Sequence, residues 1–531
     1  MAELQPGTLA PKEMLIDVAK LVGEYFYFTS DLAPIKFGTS GHRGSAAKRS
    51  FNGKHIFAIS QAICAYKKEH AITGPLYIGI DTHALSLPAK MSALRIFAAN
   101  EIPIYHTKER TPTPLVSFAI LEHNKKSTQT ADGIVLTPSH NPPEDGGYKY
   151  NPPNGGPAET SVTKEIEQKA NELLRNDSFT TVSYDEALRS EHVHEHDFIT
   201  PYVEALESIV DMESIKKSGL KLAADPLGGS AIGVYKKIKE IYGLDIAILH
   251  DYVDYTFSFM PLDHDGKIRM DCSSPYAMAS LVENAKTYDL AWANDTDSDR
   301  HGIVTPYGGL VNPNHFLAVA VWYLFRHRQW PKELKIGKTF VTSSMIDRIA
   351  QALGIEVYET PVGFKWFAEG LYEGWLAFAG EESAGASFLR KDASVWTTDK
   401  DGIVMGLLAA EIAAKEEDPA KIYEKLEERF GKSYYRRLDI PANEEIRTKL
   451  RTITPEKIAT TTLAGEKIER IFTHIGDTPL GGIKIVTANG WVAMRPSGTE
   501  DIYKIYAESF LSFKHLAQLQ QEAQNIVKAL I

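Results

Sequence analysis

"IVLTPSHNPPEDGGYKYNPPNGGP", residues 134 to 157, is the stretch on which the reading of the chain turns. Ile134, Val135 and Leu136 form an apolar run of strand length. The run breaks into a segment crowded with Pro, Gly and Asn, many more than a turn needs, around what reads as an exposed Ser139-His140 pair. The same break recurs along the chain. "PLYIGID" (75–81), "LKLAADPLGG" (220–229), "YDLAWANDTDSD" (288–299), "KTFVTSS" (338–344) and "GWLAFAGEES" (374–383) each carry a short apolar run into a polar or glycine-rich turn, and helical patterns follow several of them. Such alternation predicts parallel α/β layers, whose ligand sites gather at the carboxyl ends of the strands.

The last hundred residues change character. "GGIKIVTANGWVAMRP" places Asn489-Gly490 between two strand-like runs, a hairpin signal, and "IYKIYAES" is a further strand. A closing helix carries Phe513, Leu516, Leu519, Ala523, Ile526 and Leu530 on one stripe, so this end reads as an α+β domain. Linker-like stretches near 190–200 and 430–436 are the expected boundaries, and no short-period repeat is visible. A length of 531 residues suggests three or four domains at roughly 150 residues each.

Composition narrows the function classes. Cys64 and Cys272 are the only cysteines, which excludes a disulfide framework and a thiolate zinc site and fits a reducing, cytoplasmic setting. The start, "MAELQPGTLAPKEMLIDVAKLVGEYF", lacks the apolar core of a signal peptide and reads as a polar lead with an amphipathic helix from about Pro11. The longest apolar run, Phe316 to Phe325, falls short of the roughly 20 residues that span a bilayer. A net charge of −11 argues against nucleic acid as the main partner. A small anionic ligand would need a local basic pocket.

Four loops carry chemistry. Pro138, Pro142 and Pro143 stiffen the backbone around Ser139, with Lys149 close downstream, as a serine nucleophile would require; a proline-rich surface turn is the plain alternative. The hydrolase pattern G-x-S-x-G is absent. In "NDTDSDRHG", Asp295, Asp297 and Asp299 repel one another unless a cation neutralises them, and an all-oxygen set selects Mg²⁺ or Ca²⁺. A calcium EF-hand fails, because Arg300 stands where its Gly is required and Pro306 where its Glu is required. Mg²⁺ is preferred, since few protein ligands leave room for a phosphoryl oxygen. A solvated acidic turn is the structural alternative. "GEESAGAS" (380–387) offers Glu381 and Ser383 for sugar hydroxyls, with Gly363, Lys365 and Lys400 in nearby loops. "RPSGTED" (495–501) joins an Arg fork to hydroxyls and a Gly that lets backbone N–H groups approach, a phosphate cradle. "KFGTSGHRG" (36–44) adds Arg43. Together the loops hold a nucleophile, a divalent metal, hydroxyl-binding groups and a phosphate clamp, the equipment for moving a phosphoryl group between a serine and a sugar phosphate.

"TPSHNPP", "DTDSDR", "GEESAG" and "RPSGTE", in this order, resemble the four signature loops of the α-D-phosphohexomutase family, and the likeness runs from about residue 36 to the terminal domain. The resemblance implies three α/β domains of similar topology and a C-terminal α+β domain around a central cleft, placed here at 1–199, 200–311, 312–433 and 434–531. It implies reversible interconversion of 1-phospho and 6-phospho sugars, glucose first, with mannose, glucosamine or pentose phosphates as alternatives. A sugar-phosphatase and a binding protein without catalysis are the rival classes.

By the same resemblance, Ser139 matches the phosphoryl carrier, and Asp295, Asp297 and Asp299 the Mg²⁺ ligands, with a phosphoryl oxygen on Ser139 as a further ligand. Arg300 follows them as in the family. Glu381 and Ser383 match the sugar-binding pair, with Gly363 and Lys365 in the adjoining loop. Arg495, Ser497, Gly498 and Thr499 match the clamp for the non-reacting phosphate. Arg43, His140, Lys149 and Lys400 fall where the family places basic groups near the phosphoserine. Glucose 1,6-bisphosphate is the implied intermediate, and a monomer or homodimer the implied assembly. One departure stands out: Val362-Gly363 replaces the Thr-Gly of some members, so a side-chain hydroxyl is missing there.

Overall fold

The computed structural model describes residues 5–38, 41–498 and 501–530 and contains four sheets, one after another along the chain. The first holds β1 (Phe37–Gly38), β2 (Gly41–Ser45), β3 (Leu76–Ile80), β4 (Ile104–His106), β5 (Asp132–Leu136), β6 (Asp145–Asn151) and β7 (Val193–Glu195), in the order β1-β2-β6-β5-β3-β4-β7. The second holds β8 (Leu222–Asp225), β9 (Ile246–Ile248), β10 (Leu290–Ala293), β11 (Gly302–Thr305) and β12 (Gly309–Leu310), in the order β12-β11-β10-β8-β9. The third holds β13 (Lys335–Thr339), β14 (Val357–Thr360), β15 (Leu376–Glu381) and β16 (Gly385–Phe388), in the order β14-β13-β15-β16. The fourth is an antiparallel sheet of β17 (Tyr434–Pro441), β18 (Thr462–Leu463), β19 (Glu466–Ile475), β20 (Thr478–Thr487), β21 (Gly490–Pro496) and β22 (Ile502–Ser509).

The expectation of parallel layers holds for one continuous part of each of the first three sheets. β5, β3, β4 and β7 run parallel, as do β10, β8 and β9, and β15, β13 and β14. Beside each parallel group lies an antiparallel partner: β6 on β5, β11 on β10 and β16 on β15. Each of these pairs is consecutive in sequence, and the connection between its strands is one of the loops singled out above. The fourth such loop joins β21 to β22, again antiparallel. A common topology thus recurs without a sequence repeat, because strand pairing needs only apolar runs of the right length, and many sequences supply them.

The N-terminus departs from expectation. A short 3-10 turn, Lys12–Met14, precedes the first helix, α1 (Val18–Tyr27), which starts where the Asp17 carboxylate accepts from Lys20 N at 3.0 Å. Asp is a far better cap than Pro11 for the orphan N–H groups of a first turn. Ahead of it, the chain pairs with the second sheet's long loop: Gly7 N donates to Leu262 O at 2.7 Å and Leu262 N to Thr8 O at 2.8 Å. In the closing helix, Phe513–Ala529, the stripe holds at Leu516, Leu519 and Ala523, but Phe513 is 64% exposed and rests edge-on against Tyr434. It is the first residue after the Ser512 cap, where the helix has not yet turned onto the sheet.

The first three sheets share one continuous core, from Leu115 and Val116 through Trp292 and Phe316 to Phe367 and Phe378. The fourth joins by a smaller apolar cluster, in which Phe340 and Val341 meet Leu480, Trp491, Ala493 and Tyr506. Polar contacts fix this junction. Glu508, fully buried on β22, accepts from Ser343 Oγ, from Ser344 N at 2.7 Å, from Ser433 Oγ at 2.6 Å and from Trp491 Nε1 at 2.8 Å. Beside it, buried Lys338 pairs with Asp347 at 3.0 Å and Glu359 at 2.8 Å, and Lys484 of β20 reaches Glu359 at 3.2 Å. Among the described residues no helix is long and apolar enough to cross a membrane.

Burial opposes the charge of Glu359, but Lys338 and Lys484 outweigh it and lower its pKa from an ordinary 4.5 to about 2. A depressed carboxyl contributes stability that is complete above its unfolded value and is lost as pH falls toward the folded one. Melting temperature should therefore fall more steeply between pH 4.5 and 2 in the wild type than in Glu359→Gln, by circular dichroism. Parallel slopes in that window would show that the pair does not bind the fourth sheet to the third.

Candidate active site

Ser139 lies in the connection between β5 and β6, and its backbone takes φ of 60°, the left-handed region that side chains other than Gly avoid. Local bonds hold it there. Ser139 N donates to Thr137 Oγ1 at 2.8 Å, and Thr137 Oγ1 donates to Asp81 Oδ2 at 2.7 Å. Asp81, at the end of β3, also accepts from Ser86 Oγ at 2.5 Å, from His83 N at 3.0 Å and from His83 Nδ1 at 2.7 Å. Thr296 Oγ1 sits 2.8 Å from both Asp81 Oδ2 and the Ser139 carbonyl. A Cβ on Gly147 would stand 2.0 Å from Thr137 O, so only Gly lets β6 pass behind the loop. Ser139 itself is 1% exposed. The expected exposed hydroxyl is instead buried, because the β10–β11 loop folds over it and Asp295 Oδ2 accepts from Ser139 Oγ at 2.6 Å.

That second loop brings Asp295, Asp297 and Asp299 together, all buried, with one oxygen of each within 4.8 Å of the others. Three like charges out of water cost several kcal/mol per ion unless paired. Lys149 Nζ, from β6, lies 2.6 Å from Asp297 Oδ2 and 2.9 Å from Asp299 Oδ2; Lys400 Nζ, from a loop after β16, lies 3.1 Å from the same Asp299 oxygen. Thr113, first residue of the helix Thr113–Asn124, donates its hydroxyl to Asp297 Oδ2 at 2.5 Å and its N–H to Asp297 O at 2.9 Å. Burial and the two neighbouring carboxylates push Asp295 well up. Burial also opposes the charge of Asp299, but Lys149, Lys400 and Arg300 outweigh it and hold it well down. Asp297 Oδ1 and Asp299 Oδ1 are buried without a hydrogen-bond partner, and Arg300 Nε lies 4.0 Å from the second of them. Close-set carboxylates with open, water-excluded acceptors fit a hard divalent cation.

Basic groups surround this cluster. His140 Nδ1 stands 3.1 Å from Ser139 Oγ, and burial with Arg300 and Arg43 nearby lowers its pKa well below its ordinary value against the pull of Asp271. Arg43, on β2, donates from Nη1 to Asn141 Oδ1 at 3.0 Å, while its buried Nε has no partner. Burial and the nearby Arg300 charge both push Arg43 down. Two neighbouring guanidinium groups with an unused donor are the arrangement an anion relieves.

The third loop is tied to the second: Arg300 pairs its backbone with Gly385, and His301 N donates to Ala384 O at 3.0 Å. Glu381 closes β15; it accepts from Gly363 N at 3.0 Å, and burial raises it from 4.5 to about 7 against the pull of Lys400. Ser383 lies half-buried in the same turn. Lys365 does not join the group: its Nζ donates to Thr160 Oγ1 at 2.6 Å, at the start of the helix Thr160–Asn176. On the fourth sheet, Arg495 of β21 has a buried Nε without a partner, Ser497 N donates to Ile502 O at 2.9 Å to close the loop, and Gly498 is exposed. Thr499 lies outside the described residues.

Sequence reasoning missed several contributors. Asp81 was visible only as the polar end of "PLYIGID", and Thr137 and Thr296 as ordinary loop residues. The loop 263–274, "DHDGKIRMDCSS", gave no motif, yet Met270 N donates to His140 O at 3.3 Å and the charge of Asp271 acts on both His140 and Arg300.

Sequence models of phosphoglucomutase/phosphomannomutase α/β/α domains I, II and III match residues 34–176, 200–308 and 312–430, and that of the C-terminal domain matches 411–526. The chain belongs to the phosphoglucomutase/phosphomannomutase family. Within it, the chain is 52% identical to a phosphoglucomutase of Komagataeibacter xylinus over 99% of its own length and 97% of the relative's. It is 30% identical to phosphoglucomutase 1 of Drosophila melanogaster, over 90% of each. In structure it resembles the open form of pp63/parafusin, a phosphoglucomutase from Paramecium, with a TM-score of 0.74 and 22% identity over 94% of this chain and 96% of that one. The α/β/α architecture of that family is the one seen here.

The cation-binding role of the triad is open to a direct test. Asp297→Ala removes one of the open oxygens and should weaken Mn²⁺ binding, followed by its electron paramagnetic resonance signal, by more than about tenfold. Unchanged affinity would leave the triad as a lysine-paired structural cluster.

Proposed function

We propose that the protein interconverts α-D-glucose 1-phosphate and glucose 6-phosphate, using a phosphoryl group carried on Ser139 and passing through glucose 1,6-bisphosphate. The observation that carries this reading is the 2.6 Å bond from Ser139 Oγ to Asp295, which sets a hydroxyl on a rigid, left-handed turn at the edge of a buried carboxylate triad. The choice of glucose is supported by the phosphoglucomutase that is 52% identical along nearly the whole chain. Residues 1–199, 200–311, 312–433 and 434–531 are the four domains in this reading, each contributing one loop.

Asp295, Asp297 and Asp299 would hold Mg²⁺, which when bound supplies positive charge beside the transferring group. The protein's own residues do the rest. In the forward half, the free hydroxyl oxygen of the sugar bonds to phosphorus as the phosphorus–Oγ bond of Ser139 breaks, and the hydroxyl proton passes to a base. His140, 3.1 Å from Oγ, is placed to take a proton, while Lys149 and Lys400 offset charge on the transferring oxygens. Arg495, Ser497, Gly498 and Thr499 hold the phosphate that does not react. The bisphosphate then turns in the cleft, its other phosphoryl group returns to Ser139 Oγ, and the isomer leaves. Arg43 and Arg300 receive whichever phosphoryl group is in transit, and Glu381, Ser383 and Gly363 orient the sugar.

A phosphorus NMR time course of glucose 1-phosphate with Mg²⁺ and a trace of glucose 1,6-bisphosphate should show the 6-phosphate signal growing. Ser139→Ala should slow it by more than about 10³-fold. Release of free phosphate would indicate a phosphatase, and turnover of mannose or glucosamine phosphates alone would move the substrate. For Glu381, with a pKa near 7, the carboxylate that accepts sugar hydroxyls is protonated on the acid side. KM for glucose 1-phosphate should therefore rise as pH falls through about 7, and Glu381→Gln should flatten that profile. A KM independent of pH in the wild type would remove Glu381 from the sugar site.

A further inference from the structure

Lys149 and Lys400 reach the same oxygen of Asp299, yet they come from different sheets, and two ammonium groups over one carboxylate repel each other. Something must hold the second in place. Lys400 is preceded by Asp399, buried, whose Oδ1 accepts from Lys400 N at 2.8 Å and lies 3.5 Å from Lys400 Nζ. The other oxygen, Oδ2, accepts at 2.9 Å from Asn151 Nδ2. Asn151 ends β6, two residues beyond Lys149, and its amide also donates to Gly155 O at 2.9 Å. One carboxylate-to-amide bond therefore ties the loop that carries Lys400 to the strand that carries Lys149.

The surrounding backbone is built for this close approach. Ser117 Oγ receives the N–H groups of Thr398 and Asp399 at 3.3 and 3.4 Å, and Thr398 Oγ1 donates to Asn154 O at 2.5 Å. A Cβ on Gly156 would come within 2.9 Å of Thr398 O. We propose that Asp399, anchored by Asn151, is the positioning residue that sets the Lys400 ammonium beside Lys149 over Asp299. This rests on the reading in which Lys400 serves phosphoryl transfer. Asp399 touches no reacting atom; it acts through Lys400.

Asp399→Asn tests the inference with little change of shape. The new amide has one oxygen, so either Asn151 or Lys400 then meets a donor instead of an acceptor. In the full-length protein, kcat for glucose 1-phosphate should fall about tenfold while KM changes by less than about twofold. Asn151→Ala, which keeps the carboxylate but releases it, should give the same pattern. Lys400→Ala should lower kcat further, and adding Asp399→Asn to it should change nothing more. Losses that multiply in the double variant would overturn the inference, as would a crystal structure of Asp399→Asn in which Lys400 Nζ keeps its contact with Asp299. Full activity in Lys400→Ala would instead remove Lys400 from the transfer step, and the position of Nζ in the Asp399→Asn crystal would then decide the positioning role alone.

Discussion

Three carboxylates buried in one short loop are the constraint on which the arrangement depends. Asp295, Asp297 and Asp299 cannot stay charged out of water without nearby positive charge, and among the described residues their own loop supplies only Arg300. Lys149 arrives from the first sheet and Lys400 from the loop that follows the third. Satisfying one loop's charge therefore pulls three layers together at one point, where Ser139 also meets Asp295. The continuous apolar core beneath them makes the same three layers hard to separate.

The loops can do this because of how they are mounted. Each of the first three leaves the end of an inner strand and returns as an antiparallel neighbour, so both its ends are pinned by strand pairing. A loop held at both ends loses little further entropy when it takes up a strained conformation, and Ser139 and Ser298 both sit at positive φ. The fourth sheet is mounted differently. Its junction with the third is a small apolar cluster with polar pins at Glu508 and Glu359, and its Arg495 carries an unused buried donor. A smaller, more polar junction is the natural place for relative movement.

Much of the fold was legible, for a physical reason. Strands of four to six apolar residues ending in polar turns are local patterns, and "YIGI", "GIVL", "LAWA" and "LAFA" all fall within strands. Direction was less legible. Whether a neighbour runs parallel or antiparallel depends on where the chain returns, which is why the antiparallel neighbours β6, β11 and β16 were not legible within the parallel layers. The first helix was placed too early because a capping side chain, Asp17, outweighs hydrophobic periodicity at a terminus. In the site, loops dense in Asp, Ser and Gly announced themselves. Asp81, Asn151 and Asp399 did not, since a lone polar residue at a strand end or in a turn looks the same whether it anchors a site or merely faces solvent.

By itself the sequence determined the four candidate loops, their order, and the layered α/β class with its α+β end, because these rest on residue type and short-range spacing. Tertiary structure alone decided which lysines neutralise the triad, that Ser139 is buried against Asp295, that Lys365 turns away to Thr160, and that Asn151 and Asp399 bridge two layers. Each of these contacts joins residues 101 or more positions apart, the nearest being Lys400 with Asp299. Charge compensation over such separations is set by where whole sheets pack, and no local pattern records that.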